Sequence, residues 1–172
     1  SWNEKEFFHY LNKFSIPTNK KIKNFSKGMK MKIHIAVALS HNAKLLILDE
    51  ATSGLDPVVR DEILDIFNDF TRDENHSILF SSHIVSDLEK LCDYIAFMHK
   101  GCLLLCEEKD ELLNNYCIAQ CDESRINKID KSDILSVRKS EYGVNAVIKK
   151  FAATSDMNVP PINLEDLFVY MI

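Results

Sequence analysis

Lys44-Leu45-Leu46-Ile47-Leu48-Asp49-Glu50-Ala51-Thr52-Ser53-Gly54-Leu55-Asp56-Pro57 joins an apolar run, two adjacent carboxylates and a turn within fourteen residues. Leu45 to Leu48 is continuously apolar, which suits a parallel strand covered on both faces by helices. Such a strand hands whatever follows it to the carboxyl edge of its sheet, where open α/β sheets bind their ligands. Asp49 and Glu50 are therefore placed where a ligand sits. Successive strand residues point to opposite sides, so the two acids can take different tasks, one holding a metal and the other handling water. Asp56 and Pro57 are residue types of an N-cap and a first helical position, and Val59, Ile63, Ile66 and Phe70 fall on one stripe of the helix they begin. Ser77 to Ser82 reads as a second strand. Strand, crossover helix and strand compose a βαβ unit, whose right-handed winding brings His83 to the same edge as Asp49 and Glu50.

Upstream, Phe7, Phe8, Leu11 and Phe14 recur at helical spacing within residues 3–14, a helix ended by Pro17 whose apolar face is most simply core packing. Ser26 precedes a run to Ser40 that contains no Pro, so it is a candidate N-cap, and Ile33, Ile35, Val37 and Leu39 are expected to bury that helix. The helix start gathers free backbone N–H groups, a positive dipole end, Lys27 and Lys30, which together attract phosphate. Downstream, Ile84 to Cys92 continues as a short helix, and Tyr94 to Met98 with Cys102 to Cys106 reads as a hairpin about Gly101. Past Asn115 the texture changes to short alternating segments, Tyr116 to Cys121, Ile134 to Arg138 and Val144 to Lys149, before an amphipathic Ile162 to Met171. Tyr142-Gly143-Val144-Asn145 is expected to turn two of these strands. No catalytic constellation is visible there.

With 172 residues, 46% apolar and 27% charged, the chain has the composition of one folded domain or two small ones. No apolar run approaches the roughly 18 residues that cross a bilayer. The first residue is Ser1 and no basic and apolar leader follows it, so the start reads as an internal boundary of a longer protein. Charge is unevenly spread: residues 1–44 hold nine Lys against two Glu, a net of +7, and residues 45–172 hold twelve Lys or Arg against twenty-four acids, a net of −12. Lys20, Lys21, Lys23, Lys27, Lys30 and Lys32 make the front end basic, but only Phe25 is interleaved among them, so nucleic acid is not the expected partner. A solvated basic face and a phosphate site at the helix start are both compatible with it. Cys102, Cys106, Cys117 and Cys121 form two C-x-x-x-C spacings. In strands, four residues span about 13 Å, too far for one zinc ion to reach both sulfurs. The five cysteines are expected to be reduced, buried thiols.

The apolar-run-Asp-Glu element followed by Ser53-Gly54-Leu55-Asp56 resembles the Walker B strand and D-loop of ATP-binding-cassette (ABC) ATPases. Asn24-Phe25-Ser26-Lys27-Gly28-Met29 stands in order where that family has its signature motif, Ser81-Ser82-His83 where it has its switch histidine, and Lys100-Gly101 where a turn follows its last core strand. The resemblance implies that Asp49 holds Mg²⁺ through water, Glu50 polarises the attacking water and His83 contacts the γ-phosphate of ATP. Ser26, Lys27, Gly28 and Met29 would complete the nucleotide site of a second ATPase subunit in a head-to-tail dimer, Ser53, Gly54, Leu55 and Asp56 are likewise implied to bind the nucleotide, and Asp56 would link the two sites. The familiar signature is Leu-Ser-Gly-Gly-Gln; here Ser26 and Gly28 are kept, Lys27 adds bulk and charge, and Met29 removes an amide. Such variants resemble a branch that serves exporters.

The four glycines, Gly28, Gly54, Gly101 and Gly143, include none within G-x-x-x-x-G-K-[ST]. The backbone nest, Lys and hydroxyl that cradle ATP and Mg²⁺ are thus not among these residues. The resemblance accordingly implies the C-terminal portion of a longer ATPase: an α/β fold with part of a P-loop NTPase core, comprising residues 1–43 from the helical subdomain with the signature motif, residues 44–115 from the second half of the ATPase core, and residues 116–172 as a small α+β C-terminal extension. A membrane permease would be the partner and the inner face of the cell membrane the location, reached from the cytoplasm. Alone, the chain is expected to be inactive, empty of ATP, and self-associating through a bare sheet edge. Two other readings fit the same residues: a non-catalytic interaction module of ABC shape, and a soluble ABC ATPase of repair or translation.

Overall fold

The computed structural model describes residues 2–140 and 143–171. By packing, the chain forms two compact units, Ser1–Leu91 and Cys92–Ile172. Segments 1–43 and 116–172 each lie within one unit, whereas segment 44–115 runs across the division.

In the first unit, helix α1 (Glu4–Lys13) starts where the Asn3 side chain accepts from the Lys5 and Glu6 amides at 3.1 and 3.3 Å. Leu11 and Phe14 are buried, but Phe8 is exposed, so the apolar stripe is narrower than its spacing predicts. Helix α2 (Lys27–Leu39) starts at Ser26, whose Oγ accepts from the Met29 amide at 3.2 Å. Of its four expected core residues, Ile35 and Leu39 are buried, Ile33 is half-buried and Val37 is exposed. At about 100° per residue, position 37 points away from the face that 35 and 39 share, and Ala36 is buried there in its place.

Strands β1 (Leu45–Asp49) and β2 (Ser77–Ser81) pair in parallel, from Leu45 opposite Ser77 to Asp49 opposite Ser81. Helix α3 (Pro57–Thr71) makes the crossover. Asp56 Oδ1 accepts from the Val59 amide at 3.1 Å and Pro57 sits in the first turn, which needs no donor from it. Ile63, Ile66 and Phe67 of α3 share a core with Leu46, Ile35 and Leu39. The parallel pair is covered on one face only, contrary to the two-sided cover expected of a continuous apolar run: Leu45 is 53%, Ile47 71% and Leu79 62% exposed. Alternation along each strand sends these residues to the face opposite α3. Helix α4 (Val85–Leu91) closes the unit.

In the second unit, β3 (Tyr94–His99) and β4 (Cys102–Glu108) form the expected hairpin, with a register shift between Phe97 and Met98. Lys100 and Gly101 both adopt positive φ, 47° and 77°, as a tight two-residue turn requires. Helix α5 (Lys109–Asn115) leads to an antiparallel sheet of β5 (Tyr116–Cys121), β6 (Ile134–Ser140) and β7 (Gly143–Lys149) in the order β5-β7-β6. The short α6 (Glu123–Ile126) follows β5, and α7 (Leu164–Met171) packs on β6 and β7, with Ser136 Oγ donating to the Tyr170 carbonyl at 2.7 Å. Cys117, Ala119, Ile126, Val144, Ala146 and Ile148 form one core here. Of the expected turn, Tyr142 lies outside the described residues, and Gly143, Val144 and Asn145 already belong to β7.

Candidate active site at the end of the parallel pair

Because Asp49 pairs with Ser81, the residues just past both strands meet at one edge. Ser81 Oγ donates to Asp49 Oδ1 at 2.5 Å, and the Glu50 amide donates to the Ser81 carbonyl at 3.0 Å. Strand β1 ends at Asp49, and Glu50 has φ 49°. The two carboxylates are therefore parted by a left-handed residue, not by strand alternation as expected. A non-glycine residue held there costs of order 1–3 kcal/mol and persists only where its surroundings over-determine it. Those surroundings are visible: the His83 amide donates to Glu50 Oε1 at 3.1 Å, and His83 Nδ1 lies 2.6 Å from Glu50 Oε2. Both side chains keep solvent access, His83 at 67% and Glu50 at 40%. A carboxylate fixed at both oxygens yet open to water can orient and deprotonate a water molecule.

A second cluster lies at the start of α2. Gly54, with φ 66°, has the Lys27 ammonium where a side chain would stand: an added Cβ would come within 2.4 Å of Lys27 Nζ. Gly28 is likewise filled from α3, with Val59 Cγ1 within 3.1 Å of the position of a Cβ. Lys27 thus joins the signature-like segment to the turn Ser53-Gly54-Leu55-Asp56, and Gly28 joins it to the first turn of α3. Ser53 donates its amide to the Glu50 carbonyl at 3.1 Å, Leu55 packs against the core, and Asp56 is engaged as the cap of α3. The Ser26 hydroxyl accepts from Met29 as cap of α2, which leaves its own proton to donate.

Sequence reasoning missed four residues. Ser81 fixes Asp49, and its place in Ser81-Ser82-His83, on a strand in register with β1, is the signal that finds it. The others are Thr52, Arg60 and Asp87. Asp87 and Thr52 are fully buried; Thr52 Oγ1 donates to Asp87 Oδ2 at 2.7 Å, Arg60 Nε donates to Asp87 Oδ1 at 2.6 Å, and an Arg60 terminal nitrogen donates to Ser86 Oγ at 2.7 Å.

The donors fit a nucleotide and its magnesium ion. Mg²⁺ is usually held by one or two carboxylates together with waters and phosphate oxygens, and the exposed Asp49 can supply one such carboxylate. Among the described residues no three His, Cys, Asp or Glu gather as a self-sufficient metal cage, and the five cysteines are free thiols spread over the loop after α4, β4 and β5. Lys27, Lys30 and the open amides of α2 offer phosphate a positive helix start.

A parallel βαβ unit with these carboxylates at its carboxyl edge defines an α/β arrangement of the kind that binds ligands at that edge. Residues 2–53 match the ABC transporter family model. The lantibiotic transport ATP-binding protein SrtF of Streptococcus pyogenes is 44% identical over 100 residues, 55% of this chain and 43% of that protein. The ABC transporter ATP-binding protein YhcH of Bacillus subtilis is 32% identical over 166 residues, 88% of this chain and 54% of that one. A solved inward-facing metal-chelate type ABC transporter shares the fold at a TM-score of 0.56 and 16% identity, covering 84% of this chain and 56% of that one. The chain is a relative of the ABC transporter ATP-binding proteins, and it spans about half the length of these relatives.

Proposed function

We propose that this chain is the C-terminal share of an ABC transporter ATPase subunit whose whole form hydrolyses ATP between two head-to-tail subunits and drives a membrane permease. The observation that carries this reading is the double hold of His83 on Glu50 beside the exposed Asp49. Asp49, oriented by Ser81, would hold Mg²⁺ through water; Glu50 takes a proton from the attacking water; His83 orients Glu50 and faces the γ-phosphate. Bound Mg²⁺ would supply charge neutralisation on the phosphates. Ser26, Lys27, Gly28 and Met29 present the α2 start to the ATP of the second subunit, while Ser53, Gly54, Leu55 and Asp56 line the path between the two sites. Residues 1–43 act as the signature-bearing part of the helical subdomain, 44–115 as the catalytic part, and 116–172 as a regulatory or structural extension. No helix among the described residues is long and apolar enough to cross a membrane; the proposed place of the protein is on the cytoplasmic face, held by the permease. The 172 residues contain no G-x-x-x-x-G-K-[ST] loop, so turnover requires a segment that supplies one.

The test is Glu50→Gln in an ATPase that carries that loop. The amide keeps the shape but cannot accept a proton, so steady-state hydrolysis is expected to fall by about 10²–10⁴-fold, with ATP binding and ATP-dependent dimerisation retained. Hydrolysis at the parent rate would refute the role of Glu50.

A further inference from the structure

Asp87 is a fully buried carboxylate that the proposed hydrolysis does not use. Such a group is tolerated only when its oxygens are satisfied. Here Thr52 occupies Oδ2 and Arg60 occupies Oδ1. Each of the three follows a candidate site residue closely in the chain: Thr52 lies two residues after Glu50, Arg60 four after Asp56, and Asp87 four after His83. From this convergence we propose that Asp87 is a positioning residue, which holds the turn after Glu50 to the helix after His83 through Thr52 and Arg60 and so sets the geometry of the Glu50–His83 pair.

Two further observations favour positioning over simple attachment of α4. Helix α4 is also held by Leu91 against the core and by the Lys90–Asp61 ion pair at 2.6 Å. Its place on α3 does not hang on Thr52. What the Thr52 hydroxyl adds is a fixed point just past Glu50, whose left-handed backbone needs external support. A displacement of about 1 Å at a reacting group can cost on the order of 10²-fold in rate, so a tie of this kind has a kinetic signature.

The inference rests on reading Glu50 and His83 as the hydrolytic pair, and the experiment separates the two. Thr52→Val, Thr52→Ser, Arg60→Gln and Glu50→Gln are compared in the loop-containing ATPase for kcat, KM for ATP, thermal midpoint and amide exchange over residues 50–56 without nucleotide. Thr52→Val keeps the shape and loses the hydroxyl. It is expected to lower kcat about tenfold to a hundredfold with KM nearly unchanged, and to speed exchange over 50–56 more than in α3 or α4. Thr52→Ser is expected to recover most of kcat and protection, and Arg60→Gln to act in the same direction as Thr52→Val should the latter not fold. The proposal is overturned if Thr52→Val and Arg60→Gln keep parental kcat and exchange while Glu50→Gln is inactive, or if Thr52→Ser is as slow as Thr52→Val. If Glu50→Gln hydrolyses ATP normally, the hydrolytic reading fails instead, and the exchange data alone decide whether Asp87 holds the turn.

Discussion

His83 holds Glu50 twice, by its backbone N–H to Oε1 at 3.1 Å and by ring Nδ1 at 2.6 Å from Oε2. Only the second hold depends on the side chain. His83→Ala keeps the amide contact but frees one carboxylate oxygen and removes the group proposed to face the γ-phosphate. Its steady-state ATP hydrolysis, measured in the loop-containing ATPase, is expected to fall about 10²-fold or more, with ATP affinity little changed. His83→Gln, which can restore a donor near Oε2, is expected to retain more activity than His83→Ala. Equal rates for His83→Ala and the parent would remove His83 from the site.

The meeting of Glu50 and His83 is legible in the sequence, because a parallel βαβ unit has one handedness and one edge for both strand ends. The caps at Ser26 and Asp56 are legible for a similar reason, since each residue type satisfies a local need of the helix it precedes. The one-sided cover of β1 is not. A continuous apolar run states that both faces avoid water, but not what lies against either. The buried tie of Asp87 is also hidden: Asp87 sits in a helical stretch among Ser86 and Glu89, and nothing in its spacing distinguishes an inward acid from an outward one. Only the partners Thr52 and Arg60, distant in the chain, make its burial tolerable. The packing division at Leu91 falls within a charged and apolar mixture that continues on both sides, so composition does not mark it.

Thiol chemistry offers a check on the second unit. Contrary to the burial expected of all five, Cys102 and Cys106 are exposed on β4, a strand with little cover, whereas Cys117 is 2% exposed and Cys92 and Cys121 are half-buried. Burial pushes the thiols of Cys92, Cys117 and Cys121 above their ordinary value, against smaller opposing effects of Lys109, Lys150 and Arg125 respectively. The thiolate is the reactive form, so a raised value leaves less of it at a given pH and adds to the steric protection. In the native chain near neutral pH, a disulfide reagent is expected to titrate Cys102 and Cys106 promptly and the other three slowly, with all five reacting at once in denaturant. Prompt reaction of Cys117 would contradict its place in the core of β5 and β7.

The bare face of the parallel pair leads to the last expectation. Leu45, Ile47 and Leu79 lie together on the face of β1 and β2 that α3 does not cover, and in the described residues each of these strands pairs on one side only. Burying such a side chain completely is worth about 1.5–3 kcal/mol, so three neighbours provide a sizeable drive toward any complementary surface. Strands with an open edge add a row of unpaired backbone groups, and charge on such strands is the usual protection, which Leu45, Ile47 and Leu79 do not give. The 172-residue chain is therefore expected to form dimers or larger species without ATP, at an interface other than the head-to-tail one. Ile47→Lys places a charge on that face without touching Leu46, which is 4% exposed on the core side. The substitution is expected to shift the chain toward monomer with its thermal unfolding still cooperative. Light scattering over a dilution series decides the matter: a parent chain that is monomeric at tens of micromolar and melts cooperatively would show that this face is tolerated in water.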